Sequence, residues 1–230
     1  MTRASKRKSD VQNTASAKTA RTDSVRSASS KASAKGYQRI DEIFNKYADK
    51  TSGMIEPEGI EALCSDLEVD YTDIRILMLA WKMDAEKQGY FTQDEWRRGL
   101  KALKVDNINK LKKSLPALKK EALKSVNFEV FYMFAFRYCL TEEKQKCLDI
   151  ESACMLIDLV LGFQYRAQVD SFIKFLKIQS DYKVMNMDQW TNFHRFCKEI
   201  SFPDLQNYDS CEAWPLLLDN FVDWLKEEAA

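Results

Sequence analysis

Six aromatic side chains fall within the eleven positions from Phe128 to Tyr138: Phe128, Phe131, Tyr132, Phe134, Phe136 and Tyr138. A helix can gather only part of such a set on one stripe, so this segment must be buried on most of its sides. It needs other elements around it, and the rest of the chain repeats apolar residues at helical spacing. Tyr37, Ile40, Phe44 and Tyr47 form one stripe, broken at Asp49–Gly53; Ile60, Leu63, Cys64 and Leu67 form a second. Asp70 or Thr72 is expected to cap a third helix with Ile76, Leu77, Leu79, Ala80 and Trp81, apolar on most sides and therefore central. Thr92-Gln93-Asp94-Glu95 reads as a capping box opening a fourth, with Trp96, Leu100 and Leu103 inward. Ile108, Leu111, Leu115, Leu118 and Ala122 continue the pattern, with lysines on the other faces.

Beyond the aromatic segment, Asp149 caps a helix ended by Gly162, and Val169, Phe172, Ile173, Phe175 and Leu176 give another. Asp188 is expected to cap a helix carrying Phe193, Phe196, Cys197 and Ile200. Pro215 suits the first turn of a last helix, with Asp209 or Ser210 capping the turn before it. Leu217, Leu218, Phe221, Val222 and Leu225 make its stripe. With only four Pro and six Gly in 230 residues, an all-β design is disfavoured. The predicted fold is all-α: paired EF-hand-like helix-loop-helix units at about 37–103, followed by a helical bundle, nearly ten helices in all.

Charge divides the chain. Residues 1–35 carry nine Lys or Arg against two Asp, net +7, without aromatic residues or apolar periodicity. Such a segment cannot bury enough surface to offset its ordering entropy, so it is expected to be a disordered tail, with the folded domain at 36–230. Lys6-Arg7-Lys8 fits a nuclear localisation signal or a nucleic-acid contact, or simply a solubilising tail. Residues 201–230 carry seven acidic side chains against one lysine, net −6, which suits either a solvated face or a docking face for a basic partner. No apolar run reaches membrane-spanning length. The six cysteines are far apart, most of them beside apolar residues, and read as reduced thiols.

The best metal-like motif is Asp84–Glu95, with oxygen-bearing side chains at Asp84, Glu86, Gln88 and Glu95 and the turn glycine at Gly89. That matches the calcium-loop frame, but Gln88 is neutral and Glu86 is long. Asp49–Ile55 sits where a partner loop belongs and lacks the closing Glu, so Met54-Ile55 and Tyr90-Phe91 are expected to bridge two EF-hand-like units. A calcium-binding EF-hand adaptor is the alternative function this motif supports. His194 and Cys197 share a helix face and could form a nucleophilic pair, but Phe193 and Phe196 point to a core position. No zinc spacing or phosphate loop occurs, and the basic residues of the folded part lack interleaved aromatics, which argues against nucleic-acid binding there.

The stretch Tyr208-Asp209 through Ala213-Trp214-Pro215, Leu217, Asp219, Phe221 and Val222 closely resembles the end of the PONY domain of the defective-in-cullin-neddylation (DCUN) family. Leu79-Ala80-Trp81-Lys82, Phe128-Glu129-Val130-Phe131-Tyr132 and Leu148-Asp149-Ile150-Glu151 extend the resemblance, which runs from about Tyr37 to the C-terminus. It implies a helical domain that begins with EF-hand-like units and acts as a non-catalytic scaffold without a cofactor. Its implied partners are the C-terminal region of a cullin and the N-acetylated conjugating enzyme of a Nedd-type ubiquitin-like modifier, with the cullin's RING subunit engaged indirectly. The resemblance assigns cullin binding to Asp188, Ala213 and Asp219. It assigns a pocket for the acetylated N-terminal Met to Ile60, Ile76, Leu77, Leu79, Gln88, Tyr138, Leu156 and Leu159, residues that by themselves read as core. Nuclear members with a basic tail suggest a nuclear location; a membrane partner is not implied.

Overall fold

The computed structural model describes residues 36–229, built from α1 (36–47), α2 (Pro57–Leu67), α3 (Ile74–Met83), α4 (Gln93–Leu103) and α5 (Ile108–Ala122). Then come α6 (Ser125–Tyr138), β1 (Cys147–Asp149), α7 (Ile150–Leu161), α8 (Arg166–Ile178), β2 (Val184–Asn186), α9 (Met187–Glu199) and α10 (Leu216–Glu228). The tail expected at 1–35 lies outside the described residues. Helix α6 is the centre: all six of its aromatic side chains are buried, and α3, α5, α7 and α9 pack around it. It is locked to α9 by two reciprocal hydrogen bonds. The Tyr132 hydroxyl donates to the Trp190 carbonyl and the Trp190 indole N–H donates to the Tyr132 carbonyl, each at 3.0 Å. The two rings stack at 4.4 Å between centroids. Both polar atoms are thereby satisfied inside the core, where an orphan would cost about 1–3 kcal/mol.

The first four helices form the two EF-hand-like units. Their loops are joined as the sequence predicts: Ile55 N–H donates to Phe91 C=O and Phe91 N–H to Ile55 C=O, both at 2.9 Å. Gly53 and Gly89 occupy left-handed backbone in these loops, at φ 69° and 80°. The capping box at Thr92 and Glu95 is formed in full.

Several caps fall elsewhere than the sequence suggested. Asp73 caps α3 by accepting from Arg75 N–H, while Asp70 accepts from Thr72 one turn earlier. Asn186 caps α9 in a capping box with Gln189, which leaves Asp188 inside the first turn. Pro215 is itself the N-cap of α10, and Asp209 closes a tight turn by accepting from Cys211 N–H. Gly162 follows α7 in right-handed backbone, at φ −56°, so no left-handed stop is used. Among the described residues of the bundle half, the short antiparallel pair β1–β2, with Leu148 opposite Met185, is the one pair of strands. Three residues per strand are too few to show an alternating pattern in sequence.

Candidate functional site

Two surfaces gather the residues singled out by sequence. The first is a cavity of about 160 Å³ lined by α2, the turn before α3, α3 itself, the 88–91 loop, the end of α6 and α7. Ile60, Ile76, Leu77, Gln88, Tyr138, Leu156 and Leu159 all line it. Leu79 does not: it is fully buried in the core, and Ala80 stands in the lining instead. The reason is helical geometry, since at about 100° per residue Leu79 lies roughly 200° round α3 from Leu77, whereas Ala80 returns to within about 60° of it. Through Tyr71, Thr72 and Cys139 the cavity runs into a groove of about 560 Å³ that adds Thr141, Gln145, Ser152 and Met155. Sequence reading missed these groove residues because they come from a loop and from the outward side of α7, where no apolar period marks them.

The cavity carries little free charge. Asp73 lies in its wall, but Arg75 grips that carboxylate through two side-chain hydrogen bonds, of 2.9 and 2.6 Å. The Arg75 guanidinium holds the Asp73 carboxyl below the usual carboxylate range. The Tyr138 hydroxyl accepts from Gly89 N–H at 3.3 Å, and burial pushes its pKa up. Burial likewise pushes the Cys139 thiol up to about 11, so both stay neutral at pH 7. Such a site suits an uncharged apolar group the size of one large side chain, with an extended amphipathic segment along the groove.

The second group lies at the start of α9 and around the start of α10, two helices that pack against each other. Asp188 is exposed in the first turn of α9 and accepts from the Asn192 amide at 3.0 Å. Asp219 is half-buried in the first turn of α10 and accepts from the Tyr208 hydroxyl at 2.5 Å. Both carboxylates sit where a helix N-terminus favours negative charge. Ala213 is exposed in the preceding loop. Trp214 anchors that loop: it is buried, stacked on Tyr208 at 5.6 Å, and lies under the Arg195 guanidinium at 4.1 Å. Arg195 in turn pairs with Glu199 and Glu212. The aromatic anchor thus holds Ala213 in the open, two residues before the N-cap of α10 and against the Arg195 side of α9.

The calcium candidates do not converge. Asp84 ends α3 in left-handed backbone and pairs with Arg98 at 3.2 Å. The Glu95 carboxylate is taken by the loop itself, accepting from Glu86 N–H at 2.8 Å and from Thr92 N–H at 2.6 Å. Among the described residues no group of three or more His, Cys, Asp or Glu side chains is placed to hold a metal ion. Hydrogen bonds from the protein thus stand where a calcium loop would offer free oxygens.

The His194–Cys197 pair is equally unsuited to nucleophilic chemistry. His194 is buried, with its ring 5.1 Å from that of Phe128 and 5.0 Å from that of Tyr132. Burial, with a smaller contribution from Lys198, lowers its pKa to about 4. Burial pushes the Cys197 thiol far up, so at neutral pH the pair is an uncharged imidazole and a thiol, not a thiolate.

Residues 110–224 match the cullin-binding protein family. The chain is 41% identical to human DCN1-like protein 4 over 191 residues, covering 83% of this chain and 64% of that protein. It is 38% identical to human DCN1-like protein 5, covering 80% of this chain and 75% of the relative. It is also 38% identical to human DCN1-like protein 3, covering 89% and 68%. The chain spans slightly less than two thirds of DCN1-like protein 4, from human at 64% and from zebrafish at 66%.

Proposed function

The chain belongs to the DCN1-like, cullin-binding family, and from that premise we propose that it is a non-catalytic scaffold promoting cullin neddylation. The observation that carries this reading is the family match over residues 110–224, which takes in most of α5, all of α6 to α9 and most of α10. In this reading the acidic surface of Asp188 and Asp219, with Ala213 leaving room for close approach, holds a basic face of the cullin. The apolar cavity receives the acetylated N-terminal Met of the conjugating enzyme, and the groove beyond it takes the helix that follows. Support for the second half comes from the cavity's chemistry: seven of the eight expected residues line it, and its one wall carboxylate is already neutralised. Holding both partners raises their effective concentration and fixes the modifier's thioester near the acceptor lysine, so no nucleophile is required of this chain. The RING subunit is then engaged through the cullin. Nuclear accumulation through Lys6-Arg7-Lys8 belongs to the same proposal, and deleting residues 1–35 tests it by shifting the cellular distribution.

The test is the rate of cullin modification in a reconstituted reaction with and without this protein. A rate increase that disappears with Ala213→Arg supports the reading; an unchanged rate sinks it. Discharge of the conjugating enzyme to free lysine should be the same in both arms.

A further inference from the structure

His194, the chain's single histidine, has no part in the two sites described above. It is only 7% exposed, and among the described residues neither ring nitrogen has a hydrogen-bond partner. Neither nitrogen is sealed from solvent, because among those residues Trp214 Nε1 is the one fully buried side-chain polar atom left without a partner. The ring opens instead into a hollow of about 250 Å³ between α6 and α9, whose walls include Tyr132, Met133, Thr191 and Arg195. Buried polar groups are ordinarily hydrogen-bonded, so an imidazole this deep with both nitrogens unspent points to a ligand that spends them.

The lining says what kind of group that is. The hollow's charged side chains balance: Glu129 pairs with Lys198 at 2.9 Å and Glu199 with Arg195 at 2.8 Å. An ionised ligand gains no net attraction there and would have to break one of these pairs. The hydroxyls are already used, Tyr132 donating to the Trp190 carbonyl and Thr191 to the carbonyls of Met187 and Asp188. Burial lowers the His194 pKa to about 4, so at pH 7 the imidazole is neutral and offers one donor and one acceptor. Tyr132 and Met133 give the hollow an apolar side.

The hollow also adjoins the residues assigned to cullin binding. Thr191 in its wall donates to the Asp188 carbonyl at 3.1 Å. Arg195 pairs with Glu212 at 2.7 Å and covers the Trp214 ring at 4.1 Å, and these are the two chain neighbours of Ala213. We infer that the hollow receives an uncharged polar side chain of the docked cullin, one with an apolar stem and a hydrogen-bonding end that meets His194. This inference rests on the reading of Asp188 and Ala213 as cullin contacts. Cations of the partner are served outside the hollow, by Asp188 and Asp219, and the imidazole adds a demand for hydrogen-bonding shape that charge alone does not make.

A single imidazole makes the test direct. The C-terminal region of a cullin is titrated into the full chain carrying ring-labelled histidine, and the imidazole resonances, followed by NMR at pH 7, should move with the bound fraction. Capture of the same cullin region is then compared for His194→Leu, which keeps an apolar side chain in the core, and His194→Gln, which keeps a donor and an acceptor, both checked for unchanged helicity. His194→Leu should weaken capture about fivefold, the scale of one net hydrogen bond, and His194→Gln by less than about twofold. A contact between uncharged groups is not screened, so the fivefold loss should be the same at about 50 and about 300 mM NaCl. Ala213→Arg separates the two claims. If it leaves capture intact, the cullin reading falls and takes this inference with it. If it abolishes capture while the wild-type imidazole resonances stay fixed on cullin binding, or while His194→Leu captures cullin at wild-type strength, this inference alone falls. A His194→Leu loss that vanishes at the higher salt assigns the hollow to a charged group and overturns it as well.

Discussion

The cavity beside α3 and the surface at the starts of α9 and α10 both place aspartates at helix N-termini, yet they treat charge in opposite ways. At the cavity, Asp73 is clasped by Arg75, and the surrounding wall is apolar or neutral. At the acidic surface, Asp188 and Asp219 accept only from the neutral Asn192 and Tyr208, and among the described residues neither pairs with a cation. A spent carboxylate discriminates against charged ligands; an unspent one attracts them. If the two surfaces bind as proposed, each should answer to a different perturbation.

The largest expected effect is at the cavity. A free α-amino group entering it would lose its hydration without gaining a partner, whereas an acetylated one carries no charge. The acetylated N-terminal peptide of the conjugating enzyme should bind more tightly than its free-amine twin by about 3 kcal/mol, over a hundredfold. Leu77→Arg should erase the difference, since Leu77 is only half-buried and the longer side chain can reach solvent while filling the site. Titration calorimetry with both peptides checks this, and equal affinities for the wild-type protein would remove the cavity from the reading.

Nearly as large is the effect of acid on the core shared by α6 and α9, where the His194 ring lies beside Phe128 and Tyr132. His194 has its pKa lowered to about 4 by burial, below its ordinary value near 6.5. The unfolded chain therefore binds a proton that the folded chain refuses. The stabilisation is fully present above pH 6.5 and is lost as pH falls toward 4, amounting to up to about 3 kcal/mol. Denaturant midpoints between pH 7 and pH 4.5 should fall, and His194→Phe should flatten that part of the curve. If the midpoints stay level, His194 is not protonation-resistant in solution.

Third in size is the acidic surface. Asp219→Lys replaces attraction with repulsion and should cost cullin binding about 2 kcal/mol. Because it also removes the acceptor of the Tyr208 hydroxyl, Ala213→Arg is the cleaner twin: Ala213 is exposed, so bulk there blocks approach without disturbing the core. Both variants should bind the acetylated peptide normally. Raising salt should weaken cullin capture while leaving peptide affinity nearly constant. Wild-type capture of cullin by Asp219→Lys would reduce this surface to a solvated helix end.

The contrast also explains what could be read from sequence. Helix identity and core membership were legible because apolar period and burial are one signal: the crowded aromatics of α6 could be satisfied only at the centre. The bridge of Ile55 to Phe91 was legible because each loop carries a turn glycine two residues before its bridging residue, although Gly53 falls one place early when counted from Asp49. Which side of a mostly apolar helix opens onto a cavity was not legible. On α3 both Leu79 and Ala80 are apolar, and only packing decides that the first enters the core and the second the wall. Caps slipped by one or two residues for a similar reason, because runs such as Asp70-Tyr71-Thr72-Asp73 offer several equivalent acceptors. The polarity of a carboxylate's surroundings was least legible of all, since Asp73 and Asp188 look alike until their partners are known.

The smallest effect concerns the loop that braces the cavity. Gly89 and Phe91 belong to the cavity wall, and their loop is fastened by Thr92 and Glu95. Thr92→Ala removes the hydroxyl that accepts from Glu95 N–H and donates to the Glu95 carboxylate, so it should cost about 1 kcal/mol of stability. The loosened wall should weaken the acetylated peptide by less than tenfold and leave cullin capture untouched, because the acidic surface shares no part of that loop. Calcium at millimolar concentration should not raise the melting temperature of either protein, since the Glu95 carboxylate already serves the Glu86 and Thr92 amides. A calcium-induced rise in the wild-type chain that is absent from Glu95→Gln would show that the loop rearranges to bind the ion. The opposition between a neutral cavity and a charged surface would then have to include a cation on the cavity's own brace.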